Sequence, residues 1–128
     1  MLSTAGRPAA FLVLVLLCAP TQACEVAAVN GDKIRFDLSR LDADGLYGPA
    51  DGLRALDYEF CIADRAAAIA AVRAIDASVR VYRAPGRIGC HGDQLLGIGN
   101  THQSGYREVL AALARLAFVE RIEEAHFE

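Results

Sequence analysis

The chain has 128 residues, 54% of them hydrophobic and 23% charged, with a formal net charge of −3. This length is that of one domain with one hydrophobic core. The mildly acidic balance excludes the long-range attraction to nucleic acid that basic proteins exert, so no nucleic-acid partner is expected.

Residues 1–23 have the pattern of an export signal peptide. Arg7 is their only charge, the apolar run 9–17 follows it, and the small Ala23 stands at the expected cleavage point. The apolar run is shorter than the roughly 20 residues that span a bilayer, so no membrane span is expected. The mature protein is therefore expected to begin at Cys24 and to be periplasmic or extracellular. A cysteine directly after the cleavage point leaves a lipid anchor open as the alternative.

Residues 24–56 are interpreted as an N-terminal β-hairpin followed by a loop. Within residues 25–38, two apolar segments flank Asn30-Gly31, a dipeptide that supplies the two positive φ angles of a type I′ turn. Residues 42–52 are rich in Gly and Asp and predict a loop. The hairpin is expected to cover one face of the following sheet or to extend one of its edges.

Residues 57–128 show the pattern of an α+β domain with a ferredoxin-like βαββαβ arrangement. The predicted strands are residues 57–63, 79–83, 94–99 and 119–127. Right-handed crossovers place these four strands in the spatial order 4-1-3-2, with both helices on one face of an antiparallel sheet. The acidic fourth strand suits an edge that must not pair with other chains.

Two amphipathic segments separate the strands and predict the helices. Their apolar stripes are Ala68, Ile69, Val72 and Ile75 in the first, and Val109, Leu110, Leu113 and Leu116 in the second. Asp64 and Ser104 precede these stripes and are expected to cap the two helices.

The face of the sheet that the helices leave uncovered is a candidate binding surface. It is expected to carry Glu59 from the first strand, Arg80 and Tyr82 from the second, and Leu95, Gly97 and Gly99 from the third. Tyr and Arg are the residue types that most often dominate binding energy at protein interfaces.

Three cysteines remain after removal of the signal peptide, namely Cys24, Cys61 and Cys90. The topology places Cys61 and Cys90 at the same end of adjacent antiparallel strands, so a Cys61–Cys90 disulfide is predicted. The state of Cys24 stays open between free, bridged and acylated.

The densest polar segment follows the third strand and opens the second helix. Its candidate ligand-binding residues are Asn100, Thr101, His102, Gln103 and Ser104. Backbone N–H groups at a helix start favour an anion or a carboxylate, which makes a small anionic ligand one expected partner. The structural alternative is that these residues cap the helix, while Gly97 and Gly99 allow close packing.

No catalytic residue, metal site or cofactor is expected. His91 and His102 fall at opposite ends of the third strand, and His126 supplies no evident third ligand. The nucleophile motifs and dinucleotide-binding motifs are absent from the sequence. A small enzyme that uses His102 and its polar neighbours, or Cys90 with His91, remains an alternative hypothesis.

The favoured interpretation is an exported, non-enzymatic binding or structural module that engages a partner protein, a peptide or a small anionic ligand. A second hypothesis starts from residues 113–124, a helix end followed by a strand. This segment resembles the end of the propeptides of subtilisin-type proteases. The resemblance implies a ferredoxin-like fold and a protease-inhibitor or propeptide-like function.

Overall fold

A computed structural model of the protein describes residues 32–127. The predicted signal peptide, Cys24 and the predicted turn at Asn30-Gly31 lie outside this range. The described chain is α+β, with two α-helices and two antiparallel sheets, of two and four strands. Its elements are a 3₁₀ helix Leu38–Arg40, β1 Leu46–Tyr47, β2 Arg54–Ala55, β3 Asp57–Ala63, α1 Ala66–Ile75, β4 Arg80–Tyr82, β5 Gln94–Asn100, α2 Tyr106–Arg115 and β6 Ile122–Glu124.

The four-stranded sheet has the order β4-β5-β3-β6, and every neighbouring pair is antiparallel. This is the strand order that the sequence predicts for residues 57–128. β3 and β5 form the centre, where seven residues of each strand pair from Asp57 with Asn100 to Ala63 with Gln94. The short strands β4 and β6 are therefore the edges.

The described part of the predicted N-terminal hairpin lies against β6. Ile34 bridges Ile122 in parallel, with hydrogen bonds from Arg35 N to Ile122 O at 2.9 Å and from Ile122 N to Lys33 O at 2.7 Å. The residues that follow form the 3₁₀ helix rather than a continuing strand. Asp37 caps this helix, because its carboxylate accepts hydrogen bonds from the backbone and hydroxyl of Ser39.

The main hydrophobic core lies between the helices and one face of the sheet, here called the helix face. Tyr58, Phe60 and Ile62 of β3 are fully buried on this face. They belong to one cluster with Val72 of α1 and Leu110 of α2. The alternating apolar side chains of β3 therefore face the helices, as the two-residue period of a strand predicts.

The opposite face, here called the outer face, is covered by the connection between β4 and β5. Residues 84–92 of this connection are called the strap. Ile88 and Cys90 of the strap form a second buried cluster with Leu96 and Ile98 of β5. Gly86 of the strap lies so close to β5 that an added Cβ would stand 2.7 Å from the Leu96 side chain.

The prediction that Leu95, Gly97 and Gly99 lie on the uncovered face is wrong. Gly99 pairs with Tyr58 and Gly97 pairs with Phe60, and directly paired residues share a face of the sheet. These glycines therefore lie under the two aromatic rings on the helix face. The physical reason is space, since the rings occupy the volume that side chains at these positions would need. The structural alternative for the glycines, close packing, is confirmed.

Neither predicted side-chain cap forms. Asp64 pairs with Arg83 at 2.8 Å, and α1 begins after Arg65 without a side-chain cap. Ser104 is followed by Gly105, whose left-handed φ of 66° starts α2. β6 is also shorter than predicted, because the chain turns at residues 116–119 before it reaches the sheet.

The predicted disulfide between Cys61 and Cys90 is present, with a Cα–Cα distance of 5.5 Å. It ties the strap to the central strand β3 across a sequence separation of 29 residues. In the chain-entropy view, a crosslink that closes a loop of this length stabilises the fold by about 3–4 kcal/mol.

Neither described helix is long and apolar enough to cross a membrane.

Gly99→Ala is expected to destabilise the protein by about 1–3 kcal/mol through overpacking. The new Cβ would stand 2.3–2.5 Å from atoms of the Tyr58 ring, which is fixed in the core. Urea unfolding of the variant and the wild type measures this change in the free energy of unfolding.

Gly92→Ala is the matched control, because no heavy atom beyond the adjacent residues lies within 4 Å of its added Cβ. It is expected to change stability by less than about 1 kcal/mol. Equal effects of the two substitutions would contradict the close approach of β5 to Tyr58.

Candidate functional site

The polar segment between β5 and α2 is held largely by internal hydrogen bonds. Thr101 is fully buried, and its hydroxyl donates to Gly45 O at 2.6 Å while accepting from Leu56 N at 3.0 Å. It therefore joins the β1–β2 hairpin to the end of β5. This residue, a predicted ligand contact, is inaccessible in the folded protein and has a structural role.

Asn100 and Gln103 also bind within the protein. The Asn100 amide donates to Asp57 at 2.7 Å, and its side-chain oxygen accepts from His102 N at 2.8 Å. The Gln103 amide donates to Asp76 and to Asn100 O, both at 2.9 Å. These bonds fix the shape of the turn, and they use both N–H donors of the Gln103 amide and one donor and the oxygen of the Asn100 amide.

Gln103 connects the turn to a buried carboxylate at the end of α1. Asp76 is 6% exposed and accepts hydrogen bonds from the backbone and hydroxyl of Ser78. Burial raises the pKa of Asp76, but the hydrogen bonds from Ser78 and Gln103 lower it by more, so the net pKa lies below its ordinary value. Burial raises the pKa of the neighbouring Tyr58, and the charge of Asp76 raises it further.

His102 and Ser104 are the accessible part of the polar segment. They line an open depression of about 400 Å³ at the start of α2, together with Asp44. Among residues 32–127, the His102 ring has one hydrogen-bonding contact, between Nδ1 and Asp44 O at 3.2 Å. The depression is therefore polar and open, and it is not an enclosed pocket.

Arg80 and Tyr82 lie on the outer face, as predicted. Arg80 pairs with Ile98 and Tyr82 pairs with Leu96, so both side chains project on the side of the strap. Tyr82 is 42% exposed, and Arg80 is also exposed. Neither side chain makes a hydrogen bond or ion pair with another described residue.

The structure places Arg80 and the polar segment at one end of the sheet. Arg80 stands opposite Ile98, which lies two residues before Asn100 on β5, so the side chains of Arg80 and Asn100 both project from the outer face. His102 and Ser104 follow within four residues of Asn100. The two groups of candidate residues that the sequence identifies separately are thus neighbours at the end of β5.

Glu59 is a polar residue of the outer face whose role the sequence does not reveal. It is 4% exposed, and its carboxylate accepts a hydrogen bond from Ile88 N at 2.7 Å. The Arg121 guanidinium donates to Ile88 O and to Glu123. Both backbone groups of Ile88 are thus satisfied beneath the strap. No local sequence signal pairs residues so far apart in the chain.

Two arginines that the sequence does not identify as candidates stack on the ring of Tyr47. The guanidinium carbons of Arg40 and Arg54 lie 5.3 and 5.2 Å from the centroid of its ring. β1 and β2 fall in the segment interpreted as a loop, so the pairing of Tyr47 with Arg54 was not expected. The sequence signal for this pairing is the connection of β1 and β2, residues 48–53, because its Gly and Pro residues match a hairpin with a loop of more than two residues.

The structure shows whether residues 32–127 contain a set of side chains placed to bind a metal ion, and whether Cys90 is a free thiol. No group of three or more His, Cys, Asp or Glu side chains there is placed to hold a metal ion. Cys90 is oxidised in the disulfide and is therefore not a thiolate nucleophile in this state. His91 and His102 lie beyond opposite ends of β5, as expected.

Comparisons of the chain with protein-family models, with curated proteins and with solved structures found no match. The interpretation of the site therefore depends on the geometry of the described residues.

The stability that Asp76 contributes is expected to depend on pH. Because its pKa is lowered in the folded protein, this contribution is present above the unfolded-state pKa of about 3.9 and is lost as the pH falls through the folded-state value. The free energy of unfolding of the wild type should therefore fall more steeply below about pH 4 than that of Asp76→Asn.

Asp51→Asn, a change in the exposed β1–β2 connection, is the control and should retain the slope of the wild type. Urea unfolding at a series of pH values measures all three slopes. If Asp76→Asn and the wild type had the same slope, the hydrogen-bonded ionised state of Asp76 would be disproved.

Proposed function

We propose that the protein is an exported, non-enzymatic binding module with a ferredoxin-like domain. Its partner is a protein, a peptide or a small anionic ligand that contacts the exposed side chains at the end of the outer face. The observation that carries this proposal is the pair Arg80 and Tyr82, which are exposed side by side on β4 and lack partners among the described residues.

The chemistry of this pair supports binding. A tyrosine on a strand offers a large contact area with few rotatable bonds, and an adjacent guanidinium adds bidentate recognition of carboxylates. β4 is an edge strand, so a partner reaches these side chains without displacing another strand. His102 and Ser104 add exposed polar groups beyond the same end of β5.

The internal roles of the other candidates favour binding over catalysis. Thr101, Asn100 and Gln103 are committed to bonds that maintain the fold, and Cys90 is committed to the disulfide. The enzyme hypothesis needs these groups as the polar neighbours of His102 and as the thiol beside His91. Rearranging them for a reaction would break hydrogen bonds that are buried or partly buried, at a cost of about 1–3 kcal/mol for each buried group left unpaired.

The disulfide is consistent with the proposed export, since such bonds persist in the periplasm and outside the cell and are rare in the cytosol. The same bond stiffens the outer face next to Tyr82, because it holds the strap that begins two residues after this side chain. A surface that is already ordered loses less entropy when a partner binds.

The proposal is tested by replacing Tyr82 with a photoreactive benzophenone amino acid in cells that export the protein. Irradiation is expected to give a discrete adduct with a partner, because position 82 lies inside the proposed contact. Adding Arg80→Gln to the same variant is expected to reduce the adduct yield at least about threefold through loss of a charged hydrogen-bond donor.

The control places the same photoreactive residue at position 73, an exposed arginine of α1 outside the proposed surface. No adduct at position 82, or equal adducts at positions 82 and 73, would contradict a binding surface on β4.

A further inference from the structure

β4 has one edge with which no strand of residues 32–127 pairs, here called the free edge. On its other side β4 pairs with β5. The strap leads away from the free edge, since Gly86 approaches Leu96 of β5 and Cys90 is bonded to Cys61 of β3. An edge strand presents a row of backbone N–H and C=O groups that pair readily with another strand. The free edge is therefore a position where an extended segment can add to the sheet.

The opposite edge of the sheet, β6, is protected from such pairing. Ile34 bridges Ile122 of β6, and backbone hydrogen bonds join the residues beside Ile34 to Ile122. The other two residues of β6 are Glu123 and Glu124, and like charges directly opposite each other destabilise a strand pair. The free edge of β4 is neither covered by a neighbouring segment of the described chain nor acidic.

The side chains of β4 complement a second copy of the same strand. When two copies run antiparallel with Val81 opposite Val81, a two-fold axis lies between them, and Arg80 of each copy stands opposite Tyr82 of the other. Directly opposed residues share a face of the sheet, so both Arg–Tyr pairs lie on the outer face. A guanidinium over a tyrosine ring gains cation–π attraction, and the two-fold axis produces this contact twice.

Val81 supplies the matching contact on the helix face. It is half-buried and packs against the main core, so an opposed Val81 from a second copy covers its remaining apolar surface. This register pairs every residue of β4. A register centred on Arg80 would place two guanidinium groups opposite each other, and one centred on Tyr82 would pair Arg80 with Ala84, which lies in the strap beyond the end of the strand. The chemistry of the strand therefore selects the register centred on Val81.

We propose that the partner at Arg80 and Tyr82 is a second copy of this chain, whose β4 pairs antiparallel with the free edge about a two-fold axis at Val81. The two sheets then form one sheet of eight strands, four from each copy. This inference rests on the proposed binding function and names its partner. Because the strand is short, its contact is smaller than a standard protein interface, and the dimer is expected to dissociate at micromolar rather than nanomolar concentration.

The test measures the molar mass of the intact mature protein by sedimentation velocity across the micromolar range. Free thiols are alkylated first, so that no intermolecular disulfide forms, and physiological salt screens the repulsion between two acidic chains. A reversible equilibrium between monomer and dimer is expected. Tyr82→Arg is expected to raise its dissociation constant at least about fivefold, because two arginines then stand opposite each other in both cross-strand pairs.

A compensating substitution tests the register itself. Adding Arg80→Tyr to Tyr82→Arg again places a tyrosine opposite an arginine, and the dissociation constant is expected to return to within about threefold of the wild-type value. Both positions are exposed, so these changes leave the core intact. Ala50→Arg is the matched control, because it adds the same charge as Tyr82→Arg at an exposed site in the β1–β2 connection and should leave the dimer unchanged.

A monomer at every concentration would overturn the inference, as would a dimer that Tyr82→Arg does not weaken or that the compensating substitution does not restore. The photoreactive residue at position 82 separates this failure from failure of the proposed function. A monomeric protein that still gives an adduct with a different protein at position 82 overturns the inference and supports the binding surface on β4. A monomeric protein that gives no adduct overturns both.

Discussion

The bond between Cys61 and Cys90 holds a polar connecting segment over a face of the sheet that the helices do not reach. Without the strap, Leu96 and Ile98 on this face would be exposed to water. Ile88 covers them, and its backbone is satisfied on both sides, by the Glu59 carboxylate and by the Arg121 guanidinium. The disulfide lowers the entropy of the unfolded chain, while these two bonds remove the cost of burying a peptide group.

This arrangement determines which surfaces remain for function. The helix face is closed by α1 and α2, and the outer face is closed by the strap next to the disulfide. The exposed groups at the two edges include Arg80 and Tyr82 on β4 and, beside β6, the arginines Arg40 and Arg54. The polar segment after β5, which has the strongest chemical signal in the sequence, mainly connects elements, since Thr101 lies inside it with no exposed surface.

The sequence was sufficient where one local pattern determines the structure. The alternation of Tyr58, Phe60 and Ile62 defined β3 with its observed bounds, and the strand order followed from handedness. It was insufficient where a residue distant in the chain determines the position or the partner of a side chain. Gly97 and Gly99 lie on the helix face because aromatic rings of β3 fill their space. Likewise, Asp64 pairs with Arg83 instead of capping α1. The Glu59 carboxylate accepts its hydrogen bond from the backbone N–H of Ile88, which is 29 residues away in the chain.

The central claim is that the disulfide holds the strap on the outer face and that Ile88 is buried there. Amide hydrogen exchange at Ile88, measured in the oxidised protein and after selective reduction of Cys61–Cys90, tests this most directly. The account predicts strong protection in the oxidised protein, because this N–H donates to a buried carboxylate, and at least about a hundredfold faster exchange after reduction. Exchange of the Ile88 amide at the rate of an unstructured peptide in the oxidised protein, or unchanged protection after reduction, would contradict it.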